Sequence, residues 1–144
     1  MNHTFYRLPI RFGPLMAGQE MPTCGVGVSI AQGIHLLLHT RYGELRSDRS
    51  YGCSVWELEF DRSVSSSHWI NHLCESMEEA IQQHEPRLKN PQVTVHFQSV
   101  ERGIDPIPED YQRRATVTVQ AILCETDEPF RFATQLHLGQ LLTR

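Results

Sequence analysis

The sequence contains no apolar run longer than a few residues. A helix that crosses a bilayer needs about 20, so a membrane span is excluded. Residues 1–8 lack the charged start and long apolar core of a secretory leader, which makes a cytosolic protein the expectation. The four cysteines, Cys24, Cys53, Cys74 and Cys124, are far apart and form no Cys-x-x-Cys pair. That spacing argues against a zinc knuckle or a thioredoxin-type motif and for free thiols. There is no excess of positive charge: the net charge of -4 argues against a nucleic-acid binder. No nucleophile elbow, Ser-His-Asp order or phosphate-binding glycine loop is present. Gly25-Val26-Gly27 is too short for the last of these and follows no strand. Repeats and low-complexity tracts are also absent. No cofactor, metal or small-molecule substrate is expected.

What remains is an ordinary globular mixture in 144 residues, enough for one domain that needs neither disulfide nor metal to fold. Residues 1–28 hold Pro9, Pro14 and Pro22 with no sustained period, and read as an extended arm. Phe5, Tyr6, Leu8, Ile10 and Phe12 are too apolar for a free tail, so the arm packs on its own domain or on a neighbour. Residues 29–144 read as a single α+β domain. Ile30, Ile34, Leu37 and Leu38 recur at helical spacing and predict a helix over 30–40, with Ser29 and Gln32 as a capping box. Gly33 weakens that helix by about 1 kcal/mol, which is tolerable where a neighbouring element packs closely. Residues 41–66 read as irregular, with a short alternation at 55–60 that suits a strand or a turn of helix. A second helix starts at Ser66 or Ser67. Its stripe is Ile70, Leu73, Cys74, Met77, Ile81 and His84, and Pro86 ends it. Strands follow at 93–100, 116–123 and 130–138, with Thr126-Asp127-Glu128-Pro129 as the last turn. The expected architecture is an N-terminal arm, two main helices and a three-stranded antiparallel meander, helices on one face.

Eight histidines invite a metal hypothesis. His35 and His39, and likewise His68 and His72, stand four apart, a spacing that suits two imidazoles on one ion. Both pairs fall opposite the apolar stripes, however, so solvated faces are expected. Glu75, Glu78 and Glu79 fall on the polar side of the second helix, which argues against a facing pair of catalytic carboxylates. One cluster stands apart. Glu85-Pro86-Arg87-Leu88 closes the second helix, and proline fixes the direction in which the chain leaves. Arginine's planar fork suits a two-point contact with a carboxylate. That contact lies within the domain, across an interface, or is simply a helix-end cap.

Taken together, these segments resemble a known family. Leu37-Leu38-His39-Thr40-Arg41 resembles the Leu-Leu-Asn-Thr-Arg segment of TssE proteins of type VI secretion. Tyr51-Gly52 resembles their tyrosine–glycine turn. Glu85-Pro86-Arg87-Leu88 resembles their Glu-Pro-Arg signature, and Val93-Thr94-Val95 the strand after it. Order and spacing agree across residues 28–125. The sequence departs from the pattern at His39, which replaces asparagine, and at Cys53-Ser54-Val55-Trp56, where Leu-Pro-Asp-Leu is usual. The link from Thr40 to Tyr51 is short, and the arm has no counterpart.

The resemblance implies a structural wedge subunit of a contractile-injection baseplate and not an enzyme, akin to the phage wedge protein once labelled a tail lysozyme. It implies contact with other baseplate wedge subunits and with the contractile sheath protein. It also implies an interaction role for Glu85, Pro86 and Arg87 and a fold-supporting role for Thr40, Arg41, Tyr51 and Gly52. Two alternatives share the fold or the old label: a regulatory anti-adaptor-type binding module and a peptidoglycan hydrolase. A three-stranded meander also has two edges, and either 93–100 or 130–138 could take an extended arm of another chain by main-chain pairing.

Overall fold

The computed structural model describes residues 4–56, 66–97 and 114–137. In chain order the elements are β1 (Phe5–Tyr6), α1 (Phe12–Met16), β2 (Thr23–Cys24), α2 (Val26–His39), a 3-10 turn (Ser54–Trp56), α3 (Ser66–His84), β3 (Leu88–Phe97), β4 (Arg114–Leu123) and β5 (Pro129–His137). Antiparallel strands in the order β3-β4-β5 form the main sheet. Helix α3 lies over β3 and α2 over β5, so the helices share one face as expected.

Strand alternation puts Val93, Val95, Ala115, Val117, Val119, Phe130 and Leu136 on the helix side, where all are buried. Ile30, Ile34, Leu37 and Leu38 of α2 and Leu73, Met77, Ala80 and Ile81 of α3 complete the core. Each large aliphatic side chain buried there contributes about 1.5–3 kcal/mol. The other face of the sheet is polar: Thr94, His96, Gln120, Arg131 and Gln135 are exposed.

Two element starts and the course of the arm differ from the expectation. Helix α2 begins four residues earlier, at Val26, with Gly25 as its N-cap and no capping side chain. Ser29 and Gln32 therefore lie inside the helix and form no capping box; tertiary partners take both side chains. Strand β3 begins at Leu88, ahead of the expected 93. Pro91 does not end it, because the register shifts between Lys89 and Gln92 and Asn90 takes a left-handed φ of 53° there. Such a bulge on an edge strand accommodates a residue without an N–H. The arm is not extended throughout: β1 and β2 pair as a two-stranded ribbon, with α1 in the connection. The alternation at 55–60 is a 3-10 turn as far as Trp56; residues 57–65, 98–113 and 138–144 lie outside the described residues.

Candidate functional site

The corner after α3 is built from its backbone outward. The Glu85 N–H completes the helix by donating to the Ile81 carbonyl, and the Leu88 N–H returns to the Glu85 carbonyl. Pro86 between them can donate nothing and turns the chain into β3. The turn brings two side chains of one tripeptide face to face. Arg87 Nε donates to Glu85 Oε1 at 2.7 Å and Arg87 Nη2 to Glu85 Oε2 at 2.8 Å, a two-point fork. Glu85 is buried, while the Arg87 side chain keeps about a third of its surface in solvent. The hydrogen bond to Glu85 holds the guanidinium above its usual range, against the opposing effect of burial.

Residues distant in sequence complete this corner. Arg87 Nη1 donates to the Ser29 hydroxyl at 2.9 Å, and the Phe5 ring of the arm stacks 5.2 Å from the guanidinium carbon. Gly33 of α2 faces the pair: a Cβ there would stand 3.3 Å from Glu85 Oε2. That close approach accounts for a glycine inside the helix. Of these residues, Gly33 alone left a trace in the sequence, as a cost in need of a neighbour. Ser29 read as a cap and Phe5 as part of an apolar arm, and neither pointed to Arg87, 58 and 82 positions away. Pro86 is exposed. Beside it opens a cavity of about 390 Å³ lined by Phe5, Val26, Leu123 and Cys124.

A second cluster ties the end of α2 to the end of α3. Thr40 Oγ1 donates to the Leu36 carbonyl at 2.6 Å, and the Thr40 carbonyl accepts from the Cys53 N–H at 3.0 Å. Gly52 makes that return path: its φ is 138°, and a Cβ would meet the Thr40 oxygen and the Arg41 carbonyl carbon at 2.8 Å. Only glycine fits. The Tyr51 ring meets His84 edge-on at 5.1 Å, and His84 Nε2 bonds the Ser50 carbonyl. Burial, then the charge of Glu85, pushes the Tyr51 hydroxyl up. Thr40, Tyr51 and Gly52 thus come together beside the corner. Arg41 joins them through its backbone, which lies against Gly52; the residue is otherwise exposed, with its N–H on the Glu44 carboxylate.

The arm is held lightly. Its Leu8 N–H donates to Gln32 Oε1 at 2.9 Å, and Gln32 Nε2 reaches the Cys24 sulfur. Most of its apolar side chains stay exposed: Tyr6, Leu8, Ile10, Phe12, Leu15 and Met16. Of these, Leu8, Ile10 and Phe12 border a groove of about 780 Å³ with Val28 and Leu36 of α2 and Phe132 of β5.

His68 and His72 are exposed. His35 and His39 are exposed too, yet tied in: their rings stack at 4.1 Å, and His35 Nδ1 lies 3.2 Å from the Thr134 hydroxyl of β5. Burial, and then His39, lower the affinity of His35 for a proton. Among the described residues no group of three His, Cys, Asp or Glu is placed to hold a metal ion. Nor is any helix among them long and apolar enough to cross a membrane.

A two-layer domain with a buried, arginine-matched corner and an uncovered polar sheet has the fold of small baseplate proteins of contractile injection machines. Three solved structures share it. A Geobacter sulfurreducens protein provisionally named a tail lysozyme is 21% identical with a TM-score of 0.59, covering 83% of this chain and 96% of its own. A chain of the type VI secretion baseplate complex is 14% identical with a TM-score of 0.56, covering 76% and 91%. A chain of the anti-feeding prophage baseplate is 23% identical with a TM-score of 0.57, covering 82% and 84%. No curated protein matches the sequence. The model of the baseplate wedge protein gp25 family matches residues 27–128, and the chain belongs to that family of structural baseplate proteins.

Proposed function

We propose that this chain is the wedge subunit of a type VI secretion-like machine. In this reading it assembles in the bacterial cytoplasm onto other wedge subunits and helps to anchor and initiate the contractile sheath. The observation that carries the reading is the family match over 27–128, which contains Ser29, Gly33 and the Glu85-Pro86-Arg87 turn of the corner. The corner's geometry supports a contact role. Glu85 spends both oxygens on Arg87 inside the domain, whereas Pro86 and the outer edge of Arg87 face solvent beside a cavity. A partner therefore meets a rigid arginine whose direction is already set, which lowers the entropy lost on binding. Thr40, Tyr51 and Gly52 fix the two helix ends that hold this corner, and Arg41 stands on the solvent side of the same turn. The sheet offers the second contact: an extended segment of a neighbouring subunit adds to an edge strand by main-chain hydrogen bonds. Side chains on one face of such a segment, placed along β5, would meet the groove beside Phe132.

A glycosidase needs one carboxylic acid to donate a proton and a second carboxylate across a cleft. Glu85, the buried carboxylate among the described residues, is bound at both oxygens by a cation, an arrangement that suits a structural anion. The reading is therefore structural and not enzymatic.

The test is a pull-down of tagged protein from its native host, wild type beside Arg87→Ala and Arg87→Lys. Recovery of baseplate and sheath proteins by wild type, weakened in both variants, is the expected result. Recovery of a single proteolytic adaptor would establish the anti-adaptor reading instead. Cell-wall turbidity unchanged by the purified protein is expected, and clearing would restore the hydrolase.

A further inference from the structure

Helix α2 is apolar on two sides. Its core stripe is Ile30, Ile34, Leu37 and Leu38, all buried. Nearly opposite run Val28, Ala31, Gln32, His35 and Leu36, the i, i+3, i+4, i+7, i+8 spacing of a helix-packing seam. Val28 and Leu36 keep 49% and 52% of their surface in solvent. A helix that serves only its own domain turns a polar or charged second face to water. This one turns valine and leucine, separated by a rise of about 12 Å, with small Ala31 between them. The two polar members of the seam are already bonded within the chain. Gln32 Oε1 accepts from the Leu8 N–H, and His35 Nδ1 lies on the Thr134 hydroxyl. A partner that covers this face therefore has little polar surface to strip of water.

The arm turns the face into a groove. Leu8, Pro9, Ile10 and Phe12 of the arm and Phe132 of β5 line it with α2. Its charge is one-sided. Residues 4–19 of the arm, all of α2 and all of β5 contain no Asp or Glu, although the chain holds 17 of them against 13 Lys and Arg. Arg7 and Arg11 are exposed next to the lining residues of the arm, and among the described residues neither is ion-paired. An apolar trough bordered by cations and by no carboxylate complements an apolar stripe flanked by carboxylates.

We propose that the groove between the arm and the outer face of α2 docks an acidic amphipathic helix of a partner protein. Apolar side chains of that helix at i, i+3, i+4 and i+7 fill the trough along Val28, Ala31 and Leu36, and its Asp or Glu residues meet Arg7 and Arg11. The seam spacing selects a helix, because the ridges of one helix fit the grooves of another. An extended segment beside β5 would touch only the Phe132 rim and leave the floor on α2 bare. An anionic bilayer also suits apolar and cationic groups together, but it takes a protruding face, and this one is concave. The arm precedes the matched residues 27–128, and the groove uses neither Glu85 nor Arg87, so the inference holds whether or not the corner binds other wedge subunits.

Selection of peptides on the full chain tests it. The probe is a displayed library of peptides long enough for about four turns of helix, with leucine fixed at i, i+3, i+4 and i+7 and the other positions random. Sequences recovered on wild type are expected to favour Asp and Glu over Lys and Arg several-fold. Leu36→Asp, a change at a half-exposed position, is expected to weaken a recovered peptide about ten-fold, the loss of one central apolar contact. Arg7→Glu with Arg11→Glu is expected to reverse the selected charge. On nitrogen-labelled wild type, the recovered peptide is expected to shift the amides of Leu8, Ile10, Val28 and Leu36 and to leave those of Thr94 and Gln120 in place. No peptide enriched on wild type, indifference to charge, or shifts away from the arm and α2 would overturn the proposal, and none of these readings requires a variant to fold. Flotation with vesicles of phosphatidylglycerol and phosphatidylcholine in equal parts, abolished by Leu36→Asp, would overturn it in favour of a membrane surface.

Discussion

Arg87 is fastened by three donors to two elements, and Glu85 is buried beneath it. Removing the arginine strips a buried carboxylate of both charge-assisted bonds, so Arg87→Ala is expected to cost about 2–3 kcal/mol in urea unfolding. Gly52→Ala places a Cβ against backbone at a φ that L-residues rarely adopt, and is expected to cost about 3 kcal/mol. His35 responds to pH. Because burial and His39 hold its proton affinity below the ordinary value, the unfolded chain binds the proton first as pH falls. Stability is then expected to drop as pH falls through about 6.5 and to level off below the native value. Thermal melting from pH 8 to 5 checks this, and His35→Gln should flatten the slope; an unchanged slope would place the titration elsewhere. At this scale the tripeptide Glu85-Pro86-Arg87 was legible because its members are adjacent. Ser29, Phe5 and Gln32 were not, since a capping signal and a tertiary hydrogen bond use the same hydroxyl and amide types.

Helices α2 and α3 and all three long strands were legible as elements, because their apolar spacing follows the buried faces: Ile30, Ile34, Leu37 and Leu38 of α2 and Leu73, Met77 and Ile81 of α3 are buried, with Ser76 and Ala80 buried beside the expected stripe. Their ends were less so. Gly25 caps α2 without a side chain, and Pro91 reads as a strand breaker until the strand is known to lie at an edge. Glu78 and the rest of α3's polar side read as solvated, yet Glu78 holds the Val93 N–H; a periodicity plot cannot see a strand edge. Ala133→Pro belongs to this scale. It faces solvent, and a β4–β5 ladder that starts from the Leu123 N–H on the Glu128 carbonyl turns its N–H outward, so the variant is expected to stay folded, with an unfolding midpoint near wild type, while losing any partner that adds to β5. A large loss of stability would mean that the Ala133 N–H lies in the β4 ladder after all.

At the scale of the whole molecule the two proposed contact features differ in character. The corner presents a preset cation and an exposed proline; β5 presents exposed Arg131, Ala133 and Gln135, with Phe132 bordering an apolar groove. The arm touches both, with Phe5 on Arg87 and Leu8 beside the groove. The family resemblance had no counterpart for the arm, which is why its course was not legible. Assembly through β5 is tested most directly by photo-crosslinking in the native host, with a photoreactive residue at position 133 and, as control, at position 92. The account predicts a crosslink from 133 to another subunit of the injection machine and none from 92. A crosslink from 92 alone, or from 133 only to a protein outside the machine, would contradict it.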